Sequence, residues 1–480
     1  MADLPTRLEI EDLKQNLYDV QALLHRQAVV EGLVGRQSMP KHELVEQLVH
    51  KQHLAELRTR LEGLHPADIA FILEALPPEE RLIVWDLVKA DRDGEILLEV
   101  SDAVREQLIA SMDSKELVAA TESLEADEIA DLAPDLPKEV IEEVVEALPA
   151  EERARLRAAM SYDEGTVGAL MDFDMVIVRE DITLETVTRY LRRMNELPAH
   201  TDQLFVVDRE KKLLGTLPLA RLIVTDLDQA VSAIMVPESM KLYPEDRAED
   251  AAGAFERYDL VSAPVVDAFD RLIGRVTVDA VVDHIREKGA ETQRAEAGLA
   301  EEEDIFAPVW NSFRNRWSWL AVNLVTAFVA SRVIGAFEGS IEKLTALAAL
   351  MPIVAGIGGN SGNQTTTMIV RALAMGQIQA GYWRKLLAKE MGLAMLNGAV
   401  WGALLGFATW LLYRNVALAG VMAAAMMLNF MLAAGMGVVI PWLRARFGKD
   451  PAVGSSVLIT ACTDSGGFFI FLGLATLFLV

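Results

Sequence analysis

Cysteine, histidine and aromatic residues are scarce in this 480-residue chain: it has one cysteine, Cys462, seven histidines and 6% aromatics. A single cysteine excludes an internal disulfide framework and a zinc site built from several cysteines. Positive charge is also scarce in residues 1–305, which carry 33 Lys and Arg against 66 Asp and Glu. Because phosphate contacts need Lys and Arg, we expect no nucleic-acid binding. On composition alone, a solvated acidic face is the simpler interpretation, and a cation-binding surface is the alternative.

Residues 306–480 have the opposite character, with 12 Lys and Arg, 5 Asp and Glu, and no histidine. Five long apolar segments lie in this part of the chain. They cover residues 317–337, 344–370, 386–413, 416–443 and 452–480. Each is long enough to cross about 30 Å of hydrocarbon. The sequence therefore predicts an all-α transmembrane domain of five helices, residues 313–480, in a lipid bilayer.

The distribution of basic residues predicts the orientation of these spans. Five spans place the two termini on opposite sides, and most basic residues of the membrane part fall on the N-terminal side. They are Arg314, Arg316, Arg371, Arg384, Lys385, Lys389, Arg444, Arg446 and Lys449. Basic loops stay in the cytoplasm, and no basic-then-apolar signal segment opens the chain. We expect an inner (plasma) membrane protein with a cytoplasmic N-terminus and the C-terminus outside.

A twelve-residue repeat runs through residues 61–160. Its clearest copies are Leu76-Pro-Pro-Glu-Glu-Arg81 and Leu148-Pro-Ala-Glu-Glu-Arg153. Proline at a first helical position with acids in the first turn favours a helix start. Twelve residues allow about two helical turns and a corner, so the short helices must stack on their neighbours. We expect a helical superhelix, with an ordinary bundle as the alternative, preceded by an N-terminal extension of one or two polar helices in residues 1–60.

Strands alternate with helices in two copies after residue 160. The first copy, 161–225, opens with the apolar phrase 169–171 and continues with segments 176–178, 184–195, 204–207 and 214–217. The second copy, 226–283, opens with 233–235 and continues with segments 241–243, 248–257, 263–266 and 273–276. Two β-α-β-β-α units about 60 residues apart resemble a tandem pair of CBS domains. An acidic connecting helix within 284–312 then leads to the membrane domain.

Two polar motifs lie inside the predicted spans. The fifth span contains Thr460-Ala-Cys-Thr-Asp464-Ser-Gly-Gly467, and ionising a carboxylate in lipid costs several kcal/mol. Asp464 therefore faces water, a cation or a partner, or it caps a broken helix. The second span contains a run of glycine, Asn, Gln and Thr from Gly356 to Thr367, which is too polar to face lipid and indicates a pore or a close helix crossing. Oxygen ligands without histidine suit a hard, hydrated cation such as Mg2+.

These motifs and the order of the domains resemble the MgtE magnesium channels. The second-span sequence Gly359-Asn360-Ser-Gly-Asn363-Gln364 and the fifth-span sequence Thr463-Asp464 to Gly467 carry the resemblance. It implies a homodimer whose pore lies on the symmetry axis, lined chiefly by the second and fifth spans. It also implies Asp464 as the main ligand of a largely hydrated Mg2+. The implied supporting oxygens belong to Asn363, Asn360, Gly359 and Thr460.

The resemblance further implies that cytosolic Mg2+ closes the pore by binding between the helical domain, the CBS pair and the connecting helix. The positions that look equivalent to the family's regulatory ligands are Asp259, Asp279, Asp283, Glu291 and Asp450. Carboxylates on separate bodies repel when bare and are bridged when a divalent ion lies between them. Ala280, Lys288 and Thr292 stand where related sequences often carry further acids, so we expect fewer or weaker regulatory ions here.

The CBS pair lacks the usual signature of adenine-nucleotide binding, Thr/Ser-x-x-Asp at the start of the last helix. The first copy reads Pro218-Leu-Ala-Arg221 and the second reads Thr277-Val-Asp-Ala280. Neither fits, which argues against nucleotide binding. Residues 1–305 show no phosphate loop, nucleophile–base pair or metal-hydrolase spacing, so we expect no enzyme.

The sequence thus predicts a Mg2+-selective uptake channel in which Mg2+ is both the permeant and the regulatory ion. The alternative is an ion-coupled carrier for Mg2+ or another hydrated divalent cation such as Co2+.

Overall fold

A computed structural model describes residues 10–34, 42–194, 196–237, 240–299, 302–374, 378, 381–451 and 454–480. The chain divides into two compact units. The first unit comprises Met1–Glu287 with Glu302–Ala307, and the second comprises Lys288–Glu301 with Pro308–Val480. Parts of the predicted segments lie outside the described residues: positions 1–9 and 35–41 of the N-terminal extension, 195 of the first CBS copy, 238–239 of the second, 300–301 of the connecting segment, and 375–377, 379–380 and 452–453 of the membrane domain.

Two polar helices open the first unit, as expected for residues 1–60. Helix α1 spans Ile10–Val34 and α2 spans His42–Glu62. Val20 of α1 and Leu57 of α2 are buried, and both belong to the hydrophobic core that the following helices also form. The extension is therefore part of the same helical core and not a separate arm.

The twelve-residue repeat is confirmed by the positions at which helices begin. The helices are α3 Pro66–Glu74, α4 Pro78–Trp85, α5 Asp93–Glu99, α6 Asp102–Ser111, α7 Ser114–Thr121, α8 Ala126–Leu132, α9 Lys138–Ala147 and α10 Ala150–Ala159. A 3-10 turn, Ala90–Arg92, precedes α5. With that turn included, a helical segment begins every twelve residues from 66 to 150. The recurring apolar residue, such as Leu76 or Val100, is buried in the common core.

An arginine in several repeats caps the helix before it. Arg81 donates from Nε to the Leu73 carbonyl at 2.8 Å and from Nη2 to the Leu76 carbonyl at 2.9 Å. Arg105 bonds in the same way to the Leu97 and Val100 carbonyls at the end of α5, and Arg153 donates from Nη2 to the Leu148 carbonyl just after α9 at 3.0 Å. Helix C-termini leave carbonyls without partners and attract positive charge, which explains the recurring Glu-Glu-Arg phrase.

The described residues of the CBS pair form six strands and four α-helices. The strands are β1 Ile177–Arg179, β2 Gln203–Val207, β3 Leu213–Pro218, β4 Val236–Pro237, β5 Ser262–Val266 and β6 Leu272–Thr277. The helices are α11 Leu184–Leu191, α12 Leu219–Val224, α13 Val231–Ile234 and α14 Ala248–Tyr258. One sheet has the order β1-β2-β3-β4, with β1 parallel to β2, and β5 pairs with β6 in antiparallel fashion.

Two details of the CBS pair differ from the sequence pattern. The opening phrase of the first copy forms a 3-10 helix, Val167–Leu170, and that of the second lies at the end of α13. The segment 241–243 forms a single parallel bridge, Leu242 to Val265, where the first copy has the full strand β1. A strand exists only through its pairing, so the local sequence could not distinguish these outcomes.

The connecting helix α15 spans Val278–Ala297, and its residues fall in both units. The second unit continues with α16 Val309–Gly335, the short α17 Glu338–Lys343, α18 Ala346–Ala374, α19 Trp383–Tyr413, α20 Val416–Arg446 and α21 Ser455–Phe478. Among the described residues, four helices are long and apolar enough to cross a membrane: α16, α19, α20 and α21. Helix α18 has 29 residues and carries the polar second-span motif.

Helix α20 forms the core of the second unit, with α18, α19 and α21 packed around it. Glycines at every fourth position of α19 let it approach α20 closely. A Cβ on Gly402 would lie 2.8 Å from the Ala423 carbonyl, and one on Gly406 would lie 2.9 Å from the Ala419 carbonyl. Small residues in this spacing are typical of helices that pack within a membrane.

Candidate functional site

One face of α18 is exposed to solvent in the described part of the second unit. Gly356, Asn360 and Gln364 are exposed at intervals of four residues, which places them on one face. Within a membrane-spanning helix, carboxamides pointing at lipid are unfavourable because nothing there satisfies their hydrogen bonds. This polar face of α18 (Gly356, Asn360 and Gln364) therefore suits a water-filled path or a second protein surface.

The other flank of α18 brings the second-span motif against the fifth-span motif. A Cβ on Gly359 would lie 3.7 Å from Thr463 Oγ1, and one on Gly362 would lie 2.5 Å from Ile459 Cγ2. Thr463 is fully buried, and its hydroxyl donates to the Ile459 carbonyl at 2.9 Å. The two polar motifs, which are a hundred residues apart in sequence, therefore lie on adjoining helices.

Four of the five pore residues expected from the sequence are accessible or incompletely bonded, whereas Gly359 is buried within α18. Asn360 and Thr460 are exposed, and Asp464, the residue after Thr463, is half-buried. Asn363 is half-buried as well, and its Oδ1 receives no hydrogen bond. Carboxylate and amide oxygens with spare lone pairs can accept hydrogen bonds from the water shell of a hard cation.

A second carboxylate in the membrane helices escaped the sequence reasoning. Glu390, in α19, is 1% exposed. Thr365 Oγ1, on α18, donates to its Oε2 at 3.2 Å, and Lys389 Nζ lies 3.2 Å from its Oε1. The available signal was an acid about one helical turn inside the predicted span 386–413, but nothing in the local sequence shows that it faces the motif helix. The hydrogen bond between Thr365 and Glu390 thus links α18 to α19 two residues after Asn363.

The five expected regulatory carboxylates are all exposed and spread along the chain. Asp259 ends α14 with a left-handed φ of 50°. Asp279 Oδ2 lies 3.7 Å from His200 Nε2, and Asp283 Oδ1 lies 3.7 Å from Arg286 Nη1.

The two regulatory positions in the second unit have basic neighbours. Glu291 accepts a hydrogen bond from Lys288 Nζ at 2.6 Å. The Asp450 carbonyl accepts one from Arg444 Nε at 2.8 Å. In the described part of one chain, none of the five regulatory carboxylates joins a group of three close ligand atoms.

A different group of acids does converge in the first unit. Ligand oxygens of Glu125, Asp127 and Asp172 lie within 4.8 Å of one another, in the one such group of three among the described residues. Glu125 is the N-cap residue of α8 and Asp127 lies in its first turn, whereas Asp172 follows the 3-10 helix that opens the CBS pair. The acidic cluster (Glu125, Asp127 and Asp172) thus joins the helical repeat to the CBS pair. Sequence reasoning missed it because some 45 residues separate its two parts.

Burial and mutual repulsion govern the titration of this acidic cluster. Burial, with the neighbouring Asp172 carboxylate, raises the pKa of Asp127 to about 8 and that of Glu125 to about 7. Burial also raises the pKa of Asp172, although Arg275 Nη2 lies 2.7 Å from its Oδ2 and opposes the shift. Carboxylates that resist ionisation in this way gain most from a nearby cation.

Comparison with known proteins places the chain in a family. The family model of the MgtE divalent cation transporter matches residues 351–474, that of the MgtE intracellular N domain matches 64–165, and that of the CBS domain matches 167–225 and 231–287. The magnesium transporter MgtE of Thermus thermophilus is 33% identical over 433 residues, which cover 88% of this chain and 95% of that relative. This chain belongs to the MgtE family.

Two further similarities involve MgtE proteins. The magnesium transporter MgtE of Bacillus subtilis is 24% identical over 446 residues, covering 92% of this chain and 99% of the relative. Among solved structures, the cytosolic domain of the Mg2+ channel MgtE in complex with ATP is 31% identical, with a TM-score of 0.45, over 50% of this chain and 98% of that one. The expected architecture is confirmed: a helical N-terminal domain, a CBS pair and a multi-pass membrane part, in a family of magnesium transporters.

Proposed function

We propose that the chain forms a homodimeric Mg2+ channel whose pore runs between two copies of α18 and α21. The observation that carries this proposal is the exposed polar face of α18, because a membrane helix needs something other than lipid there. A twofold axis beside this face would set two copies opposite each other and enclose a polar path. The Asp464 carboxylates of both chains would then supply the negative charge that a divalent ion requires.

The ligand set supports a hydrated ion. Asp464 provides the charge, and neutral oxygens of Asn363, Asn360, Gly359 and Thr460 complete the site. Mg2+ loses water reluctantly and is usually held by one or two carboxylates together with its own waters. Few charges and many neutral oxygens bind such an ion weakly enough for it to leave again.

We further propose that five helices, α16 and α18 to α21, cross an inner (plasma) membrane with the N-terminus in the cytoplasm. The basic residues near the ends of these helices support this orientation. In this arrangement, residues 1–160 and the CBS pair, 161–283, face the cytosol. Residues 284–312 link them to the membrane domain, 313–480.

Cytosolic Mg2+ closes the channel in this proposal by bridging carboxylates of the cytosolic part. The expected ligands are Asp259, Asp279, Asp283, Glu291 and Asp450, and the acidic cluster of Glu125, Asp127 and Asp172 adds a further binding site. An ion that binds the closed arrangement more tightly than the open one shifts the population toward closure. The convergence of three carboxylates, with ligand oxygens within 4.8 Å of one another, supports a cation site at this cluster.

Recording from purified protein in planar bilayers tests the proposal, with Mg2+ varied separately on each face. We expect Mg2+ currents that Asp464→Asn abolishes, because asparagine keeps the side-chain volume and loses the charge. Glu338→Gln, on the exposed short helix α17, is the matched control and should conduct normally. Normal current through Asp464→Asn would place the pore elsewhere. Flux that requires a second ion gradient would instead identify an ion-coupled carrier.

A further inference from the structure

Asn429 is a fully buried carboxamide near the middle of α20. Its Nδ2 donates to the Val354 carbonyl of α18 at 2.7 Å. Its Oδ1 is also buried and receives no hydrogen bond. Burying an amide with part of its hydrogen bonding unmade is unfavourable relative to an apolar side chain of the same size. Packing alone therefore does not explain asparagine at this position.

Two glycines from the two polar motifs enclose this amide. A Cβ on Gly358 of α18 would lie 2.2 Å from Asn429 Nδ2, and one on Gly467 of α21 would lie 3.0 Å from Asn429 Oδ1. Gly358 directly precedes Gly359, and Gly467 lies one helical turn beyond Asp464. The amide thus occupies the space that both glycines leave between α18 and α21.

We propose that Asn429 is a positioning residue of the ion pathway, which fixes the separation and the axial register of α18 relative to α21. The proposal rests on the proposed function, in which these two helices line the pore. Sliding α18 by one residue would move the Val354 carbonyl by about 1.5 Å along the axis and break its bond to Asn429. Buried asparagines set register between packed helices in this way, at some cost in stability.

The position of Asn429 affects the spacing of two proposed ion ligands, the side-chain oxygens of Asn363 and Asp464. Asn363 lies on α18 and Asp464 on α21, so the distance between them depends on how those two helices are held together. Asn429 makes no hydrogen bond to either residue in the described part of the chain, but its amide lies beside a motif glycine of each helix, Gly358 and Gly467. Its loss should therefore change which ion the pathway prefers, and not only how much protein folds.

Single-channel recording separates these effects, because unitary current is measured on open channels alone. Asn429→Ala removes the amide, and Asn429→Thr nearly preserves the side-chain volume. Met422→Ala, two turns away and equally buried on α20, is the matched control for a truncated core residue. We expect both Asn429 variants to change the permeability ratio of Mg2+ to the larger Ca2+ about two- to tenfold, the equilibrium effect of one net hydrogen bond. Met422→Ala should lower the yield of folded protein and leave the ratio unchanged.

Compensation provides a second, independent test. Gly358→Ala should strongly reduce Mg2+ flux per mole of purified protein, because the three nearest atoms to the new methyl group all belong to Asn429. Adding Asn429→Ala to Gly358→Ala removes those atoms and should restore a measurable part of the flux.

The proposal is overturned if the Asn429 variants keep the wild-type unitary current and permeability ratio, or if Asn429→Ala does not relieve Gly358→Ala. It is also overturned if neither Asn429 variant folds while Met422→Ala does, since the role is then structural. Failure of the proposed function gives a different result. Asp464→Asn would conduct normally, whereas relief of Gly358→Ala by Asn429→Ala would still be observed.

Discussion

Arg81 Nη1 lies 2.7 Å from Asp304 Oδ2, and the two side chains are 0% and 9% exposed. Arg81 belongs to α4 of the helical repeat, whereas Asp304 lies in the segment Glu302–Ala307, shortly before α16 begins at Val309. Asp304 Oδ1 also accepts a hydrogen bond from the Phe306 amide at 2.9 Å. A buried ion pair thus attaches the segment that precedes the first membrane helix to the acidic helical repeat.

Asp304→Asn should therefore destabilise the helical repeat. Asparagine can still accept from Phe306, but Arg81 is left as a buried charge without its counter-ion, which costs roughly 3–5 kcal/mol. Asp135→Asn is the matched control, because Asp135 pairs with the equivalent Arg105 at 3.2 Å and is 31% exposed. That change should cost at most about 1 kcal/mol. Denaturant unfolding of the whole protein, followed by tryptophan fluorescence, to which the buried Trp85 of α4 contributes, measures both. Equal midpoints for the two variants would contradict the prediction.

Magnesium should stabilise the first unit through the acidic cluster. Adding Mg2+ to the chelator-treated protein should raise its melting temperature, because bridging ions relieve the repulsion among Glu125, Asp127 and Asp172. Asp127→Asn should remove part of this rise. Glu122→Gln, an exposed acid just before the cluster, is the control and should leave it intact. A Mg2+ effect unchanged by Asp127→Asn would exclude the cluster as a binding place.

The same cluster predicts a pH dependence in the absence of Mg2+. The pKa of Asp127 is raised from 3.8 to about 8 in the folded chain. The folded state therefore holds its proton more tightly than the unfolded chain, and this contribution to stability is complete below about pH 4. It is lost as the pH rises toward 8. We expect Asp127→Asn to reduce the fall in melting temperature between pH 5 and pH 8. If the melting temperatures of the variant and the unmodified protein fall in parallel with pH, the raised pKa of Asp127 is wrong.

Closure by internal Mg2+ should depend on Glu291 and Asp450 together. Glu291→Gln and Asp450→Asn should each raise the Mg2+ concentration that closes the channel, and the double variant should add little, since contacting residues are not additive. A substitution of Lys288 should have the opposite effect, because Lys288 Nζ lies 2.6 Å from Glu291 Oε2 and forms an ion pair with it. Lys288→Gln should release Glu291 and lower the closing concentration. Simple additivity of the two acid variants would mean that no shared ion bridges them.

Glu390 should stabilise the membrane part mainly as an acceptor for Thr365. Glu390→Gln keeps an oxygen for the Thr365 hydroxyl, and its exposed partner Lys389 returns to water, so we expect a loss within about 1 kcal/mol. Glu390→Ala leaves a cavity and an unsatisfied hydroxyl and should cost about 2–5 kcal/mol. Thermal unfolding in detergent compares the two variants. Equal losses would show that the charge, and not the hydrogen bond, matters.

Periodic features of this chain were readable from its sequence because their physical cause is local. A helical segment begins every twelve residues between 66 and 150, as the repeat predicts, since each copy carries its own start signal and core residue. The long membrane helices follow from hydrophobic length. The polar run on α18 and the carboxylate of Asp464 stood out because residues of their type are unfavourable in a span.

What the sequence by itself determined was therefore the kind of each element and the chemistry that its residue types permit. Only the tertiary structure decided which distant residues meet. Arg81 and Asp304 pair across more than 200 residues, Asp172 joins Glu125 and Asp127, and Asn429 fills the space beside Gly358 and Gly467. Arginine, aspartate and asparagine are ordinary residues in these local patterns. Their roles arise from burial and from partners, and both exist only once the helices have packed.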